Sequence, residues 1–245
     1  MGIIKWLLLA AVTVWAAILS IPDNKIHVVF CDVGQGDAIL VSRRTDQLLI
    51  DGGPSRKVLD CLSAHMPFYD RRIEAVVLTH RNSDHSNGLK YVAERYNTLQ
   101  FEPALRQGQI LKVGEIKYQV LWPDEKILGA NTIGAENDEG IVGRISFGNF
   151  DVLLTADAAS ANYENPGSDI EIIKVPHHGS KYGLDPKWWA KLKPDIAVIS
   201  VGKNNYGHPT PELLNSLRDL EIKIMRTDKD GDIEIVSDGK HFEVK

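Results

Sequence analysis

The chain has 245 residues, 43% of them hydrophobic and 25% charged, a composition that excludes a disordered, collagen-like or coiled-coil protein. Its 28 basic and 33 acidic side chains leave a formal net charge of −5, which excludes a globally basic binder that holds nucleic acid by neutralising phosphates. The two cysteines, Cys31 and Cys61, are too few for a Cys-rich zinc site or a disulfide framework; two packed thiols are expected, with one disulfide as the alternative.

The chain starts with an apolar segment. Trp6 to Ile21 carry no charge and Pro22 ends the run. At 1.5 Å per residue this core falls short of the roughly 30 Å of a bilayer, and Ile3, Ile4 and a snorkelling Lys5 bring it close to a short span. The reading is a membrane anchor over 1–22, with a cleaved signal peptide as the alternative. Lys5 before the span keeps the N-terminus inside. The rest of the chain, 23–245, is expected as one domain on the outer face of a cell membrane, or secreted if the segment is cleaved.

Beyond Pro22, strands are predicted over Lys25–Phe30, Asp37–Ser42 and Gln47–Asp51, separated by the turn signals Gly34-Gln35-Gly36 and Gly52-Gly53-Pro54. Val58–His65 reads as a short helix. Glu74–Thr79 is an apolar strand running into His80, and Leu89–Tyr96 has helical spacing. Strands Ile141–Phe147 and Phe150–Thr155 flank a two-residue turn, Gly148-Asn149. Strands Glu171–Val175 and Ile196–Val201 follow. Thr210 as N-cap and Pro211 at the first helical position start a helix to Leu220. Ile222–Arg226 and Ile233–Val236 are strands again. Strands outnumber helices and the helices lie scattered between them, which predicts packed sheets with helices outside.

Ionisable residues collect where the strands stop. His80-Arg81-Asn82-Ser83-Asp84-His85 puts two histidines and an aspartate within six residues after a buried strand. Thr155-Ala156-Asp157 ends a second strand, Pro176-His177-His178-Gly179-Ser180 a third, and Tyr206-Gly207-His208-Pro209 follows a fourth. Imidazole and carboxylate suit zinc, manganese or iron. Any one cluster reads equally well as helix caps and backbone partners; four in step point to a metal.

These segments resemble the metallo-β-lactamase superfamily, and within it the hydrolase domain of ComEC-type DNA-uptake competence proteins. The marks are Phe30-Cys31-Asp32-Val33-Gly34-Gln35-Gly36-Asp37-Ala38, Leu49-Ile50-Asp51-Gly52-Gly53, the loop from His80 to Gly88, Leu154 to Asp157, Val175 to Ser180, Tyr206 to Pro209 and Thr227 to Gly231. The resemblance implies an α/β fold, a four-layer αββα sandwich, here preceded by one N-terminal hydrophobic helix. It implies one or two divalent ions, Zn or Mn. His80 would bind the first, Asp84 and His85 the second, Asp157 both, and a histidine of the next pair, assigned to His177, would close the second site. Asp84 or Asp157 would orient the attacking water, and His178 and His208 would donate to phosphate oxygens or to the leaving group. Asn82 stands where the superfamily loop usually has histidine, and no histidine lies between His85 and His177; Asn137 is the nearest polar substitute. The weaker amide ligand at Asn82 implies a loosely held first metal, whereas ComEC-like members often lack the middle histidine.

The implied function is a metal-dependent hydrolase, a phosphodiesterase or nuclease, with DNA or another phosphodiester as substrate and the DNA-uptake machinery as partner. The alternatives are a hydrolase of a small ester, lactam or phosphocholine, and a non-catalytic domain with a degenerate metal site. Smaller signals have structural readings. Asp51-Gly52-Gly53 fixes a turn beside the metal loop, Asp228 to Asp232 is a hairpin turn, and His27, His65 and His241 are structural or surface residues. Trp188-Trp189 is a helix face on the sheet, with one ring available to a base.

Overall fold

Side-chain alternation decides where each strand packs. Strand β1 (Ile26–Phe30) turns Ile26, Val28 and Phe30 to one core and Val29 to another, the two-residue period of extended chain. The computed structural model describes residues 4–8, 22–124, 140–159, 167, 169–181, 183 and 185–245. After β1 come β2 (Ile39–Arg43), β3 (Asp46–Ile50), α1 (Lys57–His65), β4 (Arg72–Val77), α2 (Ser83–Ser86), α3 (Leu89–Arg95) and β5 (Asn97–Glu102). The second half holds β6 (Ile110–Val113), β7 (Ile116–Trp122), β8 (Val142–Phe147), β9 (Phe150–Leu154), β10 (Ile172–Lys174), α4 (Pro186–Leu192) and β11 (Ile196–Ile199). The chain closes with α5 (Pro211–Asp219), β12 (Lys223–Arg226), α6 (Thr227–Asp230), β13 (Ile233–Ser237) and β14 (Phe242–Val244).

These strands form two mixed seven-stranded sheets, in the orders β14-β13-β1-β2-β3-β4-β5 and β12-β11-β10-β9-β8-β7-β6. Three apolar clusters separate four layers. Phe30, Ile50, Tyr118, Val152 and Val198 lie between the sheets. Leu40, Leu62 and Val92 join the first sheet to α1 and α3. Leu153, Trp189 and Leu217 join the second sheet to α4 and α5. This is the αββα sandwich. Trp188 and Trp189 pack on the second sheet, as the sequence predicts. Thr210 caps α5 by accepting from Leu213 N, with Pro211 behind it.

Parallel pairing of β3 with β4, and of β10 with both β9 and β11, brings the ends of those strands to one pole of the sandwich. The antiparallel pairs Phe30↔Ile39 and Ile39↔Ile50 put the loop from Cys31 to Ala38 there too. The ionisable clusters therefore share one end of the fold.

Three expectations are corrected. Among the described residues no helix is long and apolar enough to cross a membrane; residues 4–8 are helical, and 9–21 lie outside the described residues. Single-pass anchoring, and the outer-face placement that depended on it, are accordingly withdrawn. Cys31 and Cys61 are not packed thiols but a disulfide, with Cα atoms 5.7 Å apart. Packing of α1 over the end of β1 brings them together, which a separation of 30 residues does not reveal. Thr227–Asp230 winds into a helical turn ended by Gly231 at φ 74°, where a hairpin turn is predicted.

Candidate metal centre

Local backbone shape aims each polar side chain of the site. One turn of α2 presents Asp84 and His85, and Asn82 ahead of it closes the turn, its carbonyl accepting from His85 N and Ser86 N at 3.0 Å each. Asp51, Ala156, His177 and His178 all take left-handed backbone, at φ 60°, 47°, 47° and 53°. Non-glycine residues seldom sit there, and such strain collects at functional sites. Gly36 brings the loop before β2 onto this turn: a Cβ there would overlap the Asp84 carbonyl, and Asp37 N donates to that same oxygen at 3.2 Å.

One ligand atom each from Asp84, His85, Asp157 and His178 lies within 4.8 Å of all the others. Asp157 Oδ1 is 3.4 Å from His85 Nε2 and 3.6 Å from His178 Nε2, and Asp84 Oδ2 is 3.4 Å from His178 Nε2. The outer ring nitrogens are already committed. His85 Nδ1 donates to Asp51 Oδ2 at 2.7 Å and His178 Nδ1 to the Ser200 carbonyl at 2.9 Å. Nε2 of each ring is therefore the free lone pair, the arrangement that metal-binding histidines use. His85 Nε2, His178 Nε2 and Asp157 Oδ1 are buried without a hydrogen-bond partner. Unsatisfied buried polar atoms converging on one point fit a divalent cation.

His80 stands on the far side of Asp157, with Nε2 3.8 Å from Asp157 Oδ2 and its ring 4.0 Å from that of His85. Its Nδ1 lies 3.0 Å from Thr79 Oγ1, which itself donates to Asp51 Oδ2 at 2.7 Å. Asp51 thus orients two histidines at once and also accepts from Thr79 N. Among the described residues no third ligand joins His80 and Asp157. Asn137 lies outside the described residues, and Asn82 borders the cavity beside Asp84.

Beneath this set lies an ion pair that the sequence reading missed. Lys174 is fully buried; its ammonium meets Asp37 Oδ2, donates to Ala156 O at 2.6 Å and lies 3.7 Å from Asp157 Oδ1. The signal was parity. Lys174 follows Ile172 by two positions, and Ile172 faces the space between the sheets, so Lys174 must point there as well. Burial opposes its charge, but Asp37 and Asp157 hold its proton above the ordinary lysine range.

The field at the site favours positive charge. Burial opposes ionising Asp157, yet His178, His85 and Lys174 hold its carboxyl well below the usual range. Burial likewise opposes charging His85, but Asp157 and Asp51 hold its proton well above the usual imidazole range. Proton and metal ion compete for one such position. His80, His177 and His208 are pushed down, chiefly by burial, and stay neutral.

A cavity of about 310 Å³ opens over the centre, with Asp84, Asp157 and His178 at its floor and Gln35, His177, Tyr206 and His208 on its walls. His177, expected as a ligand, is not in the four-residue set; it faces the cavity with its ring 5.7 Å from that of His208. His178, expected as a catalytic donor, is in the set. A larger cavity of about 410 Å³ beside His27, His65 and Phe68 lies at the other pole. The grouping of Cys61, His65 and Asp232 offers no thiolate, because Cys61 is disulfide-bonded.

The chain belongs to the metallo-β-lactamase superfamily, whose family model matches residues 31–203, and the class is that of metal-dependent hydrolases of this fold. Within it the chain is similar to competence proteins of the ComEC type. It is 28% identical over 234 residues to "Competence protein ComA" of Neisseria gonorrhoeae, covering 88% of this chain and 33% of that protein. It is 25% identical over 252 residues to "ComE operon protein 3" of Bacillus subtilis, covering 83% and 32%. The chain spans about a third of the length of these relatives. Among solved structures, the metallo-β-lactamase fold protein YhfI of Bacillus subtilis shares the fold with a TM-score of 0.59 at 14% identity, covering 85% of this chain and 99% of that one.

Proposed function

We propose that the domain is a phosphodiesterase that cleaves nucleic acid with one tightly held Zn or Mn ion. The supporting observation is the convergence of His85 Nε2, His178 Nε2 and Asp157 Oδ1, all buried without partners, beneath a polar cavity. Asp84, His85, Asp157 and His178 would hold the cation, and His80 with Asp157 would form a second, weaker position. When bound, a divalent cation lowers the pKa of a nearby water and supplies the positive field for a phosphate that a net charge of −5 does not.

The chain's own groups do the rest. Asp84, half-buried at the cavity floor, has its carboxyl held below its usual range, against burial, by the His178 and His85 imidazoles that face it; ionised, it accepts a proton from the attacking water. His177 and His208, both neutral and facing the cavity, donate hydrogen bonds to the non-bridging phosphate oxygens. The competence relatives agree with a nucleic-acid substrate.

The test uses the full chain, stripped with chelator and reloaded with zinc or manganese, against single-stranded DNA and bis(p-nitrophenyl) phosphate. Turnover well above the chelated control is expected, with near-complete loss of metal and activity in Asp157→Ala and loss mainly of turnover in His208→Ala. No turnover with any of several metals overturns the reading.

A further inference from the structure

Resting on that reading, we infer that Tyr206 is a platform on which one base of a single-stranded nucleic acid stacks while the adjoining phosphodiester enters the site, with Asn204 as its positioning residue. Tyr206 is 77% exposed, more open than any other large hydrophobic side chain among the described residues. Its ring stands at the cavity wall, 6.0 Å from that of His208 and tilted by 35°. Left to itself, an aromatic ring on a loose loop would fold back to bury its apolar faces. This loop is not loose. Asn204 Oδ1 accepts from Tyr206 N and from His208 N, each at 3.1 Å. Asn204 Nδ2 donates to Gly202 O at 2.9 Å and to His208 O at 2.8 Å. One side chain pins the backbone on both sides of the ring and holds it out over the cavity.

The ligand class follows from chemistry. Every base has a flat face, so a fixed aromatic ring beside a phosphate site binds a strand without reading its sequence. A duplex keeps its bases stacked on one another and offers no such face. Two exposed cations neighbour cavity-lining residues in the chain, Arg81 beside Asn82 and Lys203 three positions before Tyr206, close enough in sequence to serve flanking phosphates.

The test compares the parent chain with Tyr206→Ala, Tyr206→Phe and Asn204→Ala on oligothymidine, and on the same strand with one abasic nucleotide beside the scissile bond. Tyr206→Ala should raise KM by about tenfold or more with a smaller change in kcat, and Tyr206→Phe, which keeps the ring, should restore it. Removing the base should raise KM for the parent by the same factor and leave Tyr206→Ala and Asn204→Ala unaffected. Tyr206→Trp adds a readout independent of turnover: its fluorescence should be quenched by oligothymidine beyond any quench in the parent. If phosphodiesters are cleaved and KM in Tyr206→Ala stays within about twofold, stacking is overturned. If none is cleaved, the phosphodiesterase reading falls and the tryptophan signal alone decides: quenching supports the platform, and its absence overturns it.

Discussion

Lys174 Nζ lies 2.5 Å from Asp37 Oδ2, and the two side chains are closed to solvent. Neither has water to fall back on. Lys174→Met should leave the buried Asp37 carboxylate without its cationic partner and cost about 3–5 kcal/mol. Adding Asp37→Asn removes one orphaned charge and should recover part of that loss. Urea unfolding of the single and double variants measures both; a Lys174→Met midpoint equal to that of the parent contradicts the pairing.

Asp51 should control metal affinity without touching the metal. Its carboxylate accepts the hydrogen bond of His85 Nδ1 and, through the Thr79 hydroxyl, fixes His80. In Asp51→Asn an amide hydrogen would face a ring N–H unless the amide flips, and the flip sets its NH₂ against Thr79 N. Affinity should fall about 10–100-fold, read by competition with a chromophoric chelator.

The disulfide should carry a large share of stability. A crosslink between residues 30 apart removes loop-closure entropy worth about 3–4 kcal/mol. Cys31→Ser/Cys61→Ser should therefore unfold at markedly lower urea. Thiol titration of the denatured, unreduced chain should find no free sulfhydryl; two would refute the bond.

At the pole away from the site, His27 bridges Glu234 at 2.6 Å and Asp23 at 2.9 Å. Burial opposes its charge, but both carboxylates raise its pKa above 6.5. Its contribution is thus complete below pH 6.5 and fades as pH climbs through the raised value. Asp23 and Glu234 are lowered from 3.8 and 4.5, so their share is lost only as pH falls below those numbers. His27→Ala should cost about 1 kcal/mol near pH 6 and much less near pH 9. Thermal unfolding at the two values checks the sign.

The strands that lead to the site and the capped helix at Thr210 were legible because periodicity and capping are local, whereas β5, β6, β7 and β14 were not placed. The strand-end histidines and Asp157 were legible as a set because their residue types suit one chemistry. Which histidine of the pair faces the floor was not. Two successive left-handed residues turn His178 inward and His177 to the wall, and nothing in His-His-Gly announces that turn. Asp37 and Lys174 lie far apart in sequence and meet only when the sheets close. The role of Asp51 was half legible: the turn could be read, but its two histidine partners sit on another strand's exit.

The pairing of Ile26 with Ser237 and Arg43 places the start of β1 at the end of the sandwich opposite the cavity. Residue 22 and the start of β1 consequently sit at the back of the domain, where a handle joins the bowl of a ladle. A protein immobilised through that end would present its mouth freely to long strands, whereas one immobilised through the segment around Gly207 would have its mouth stoppered by its own support.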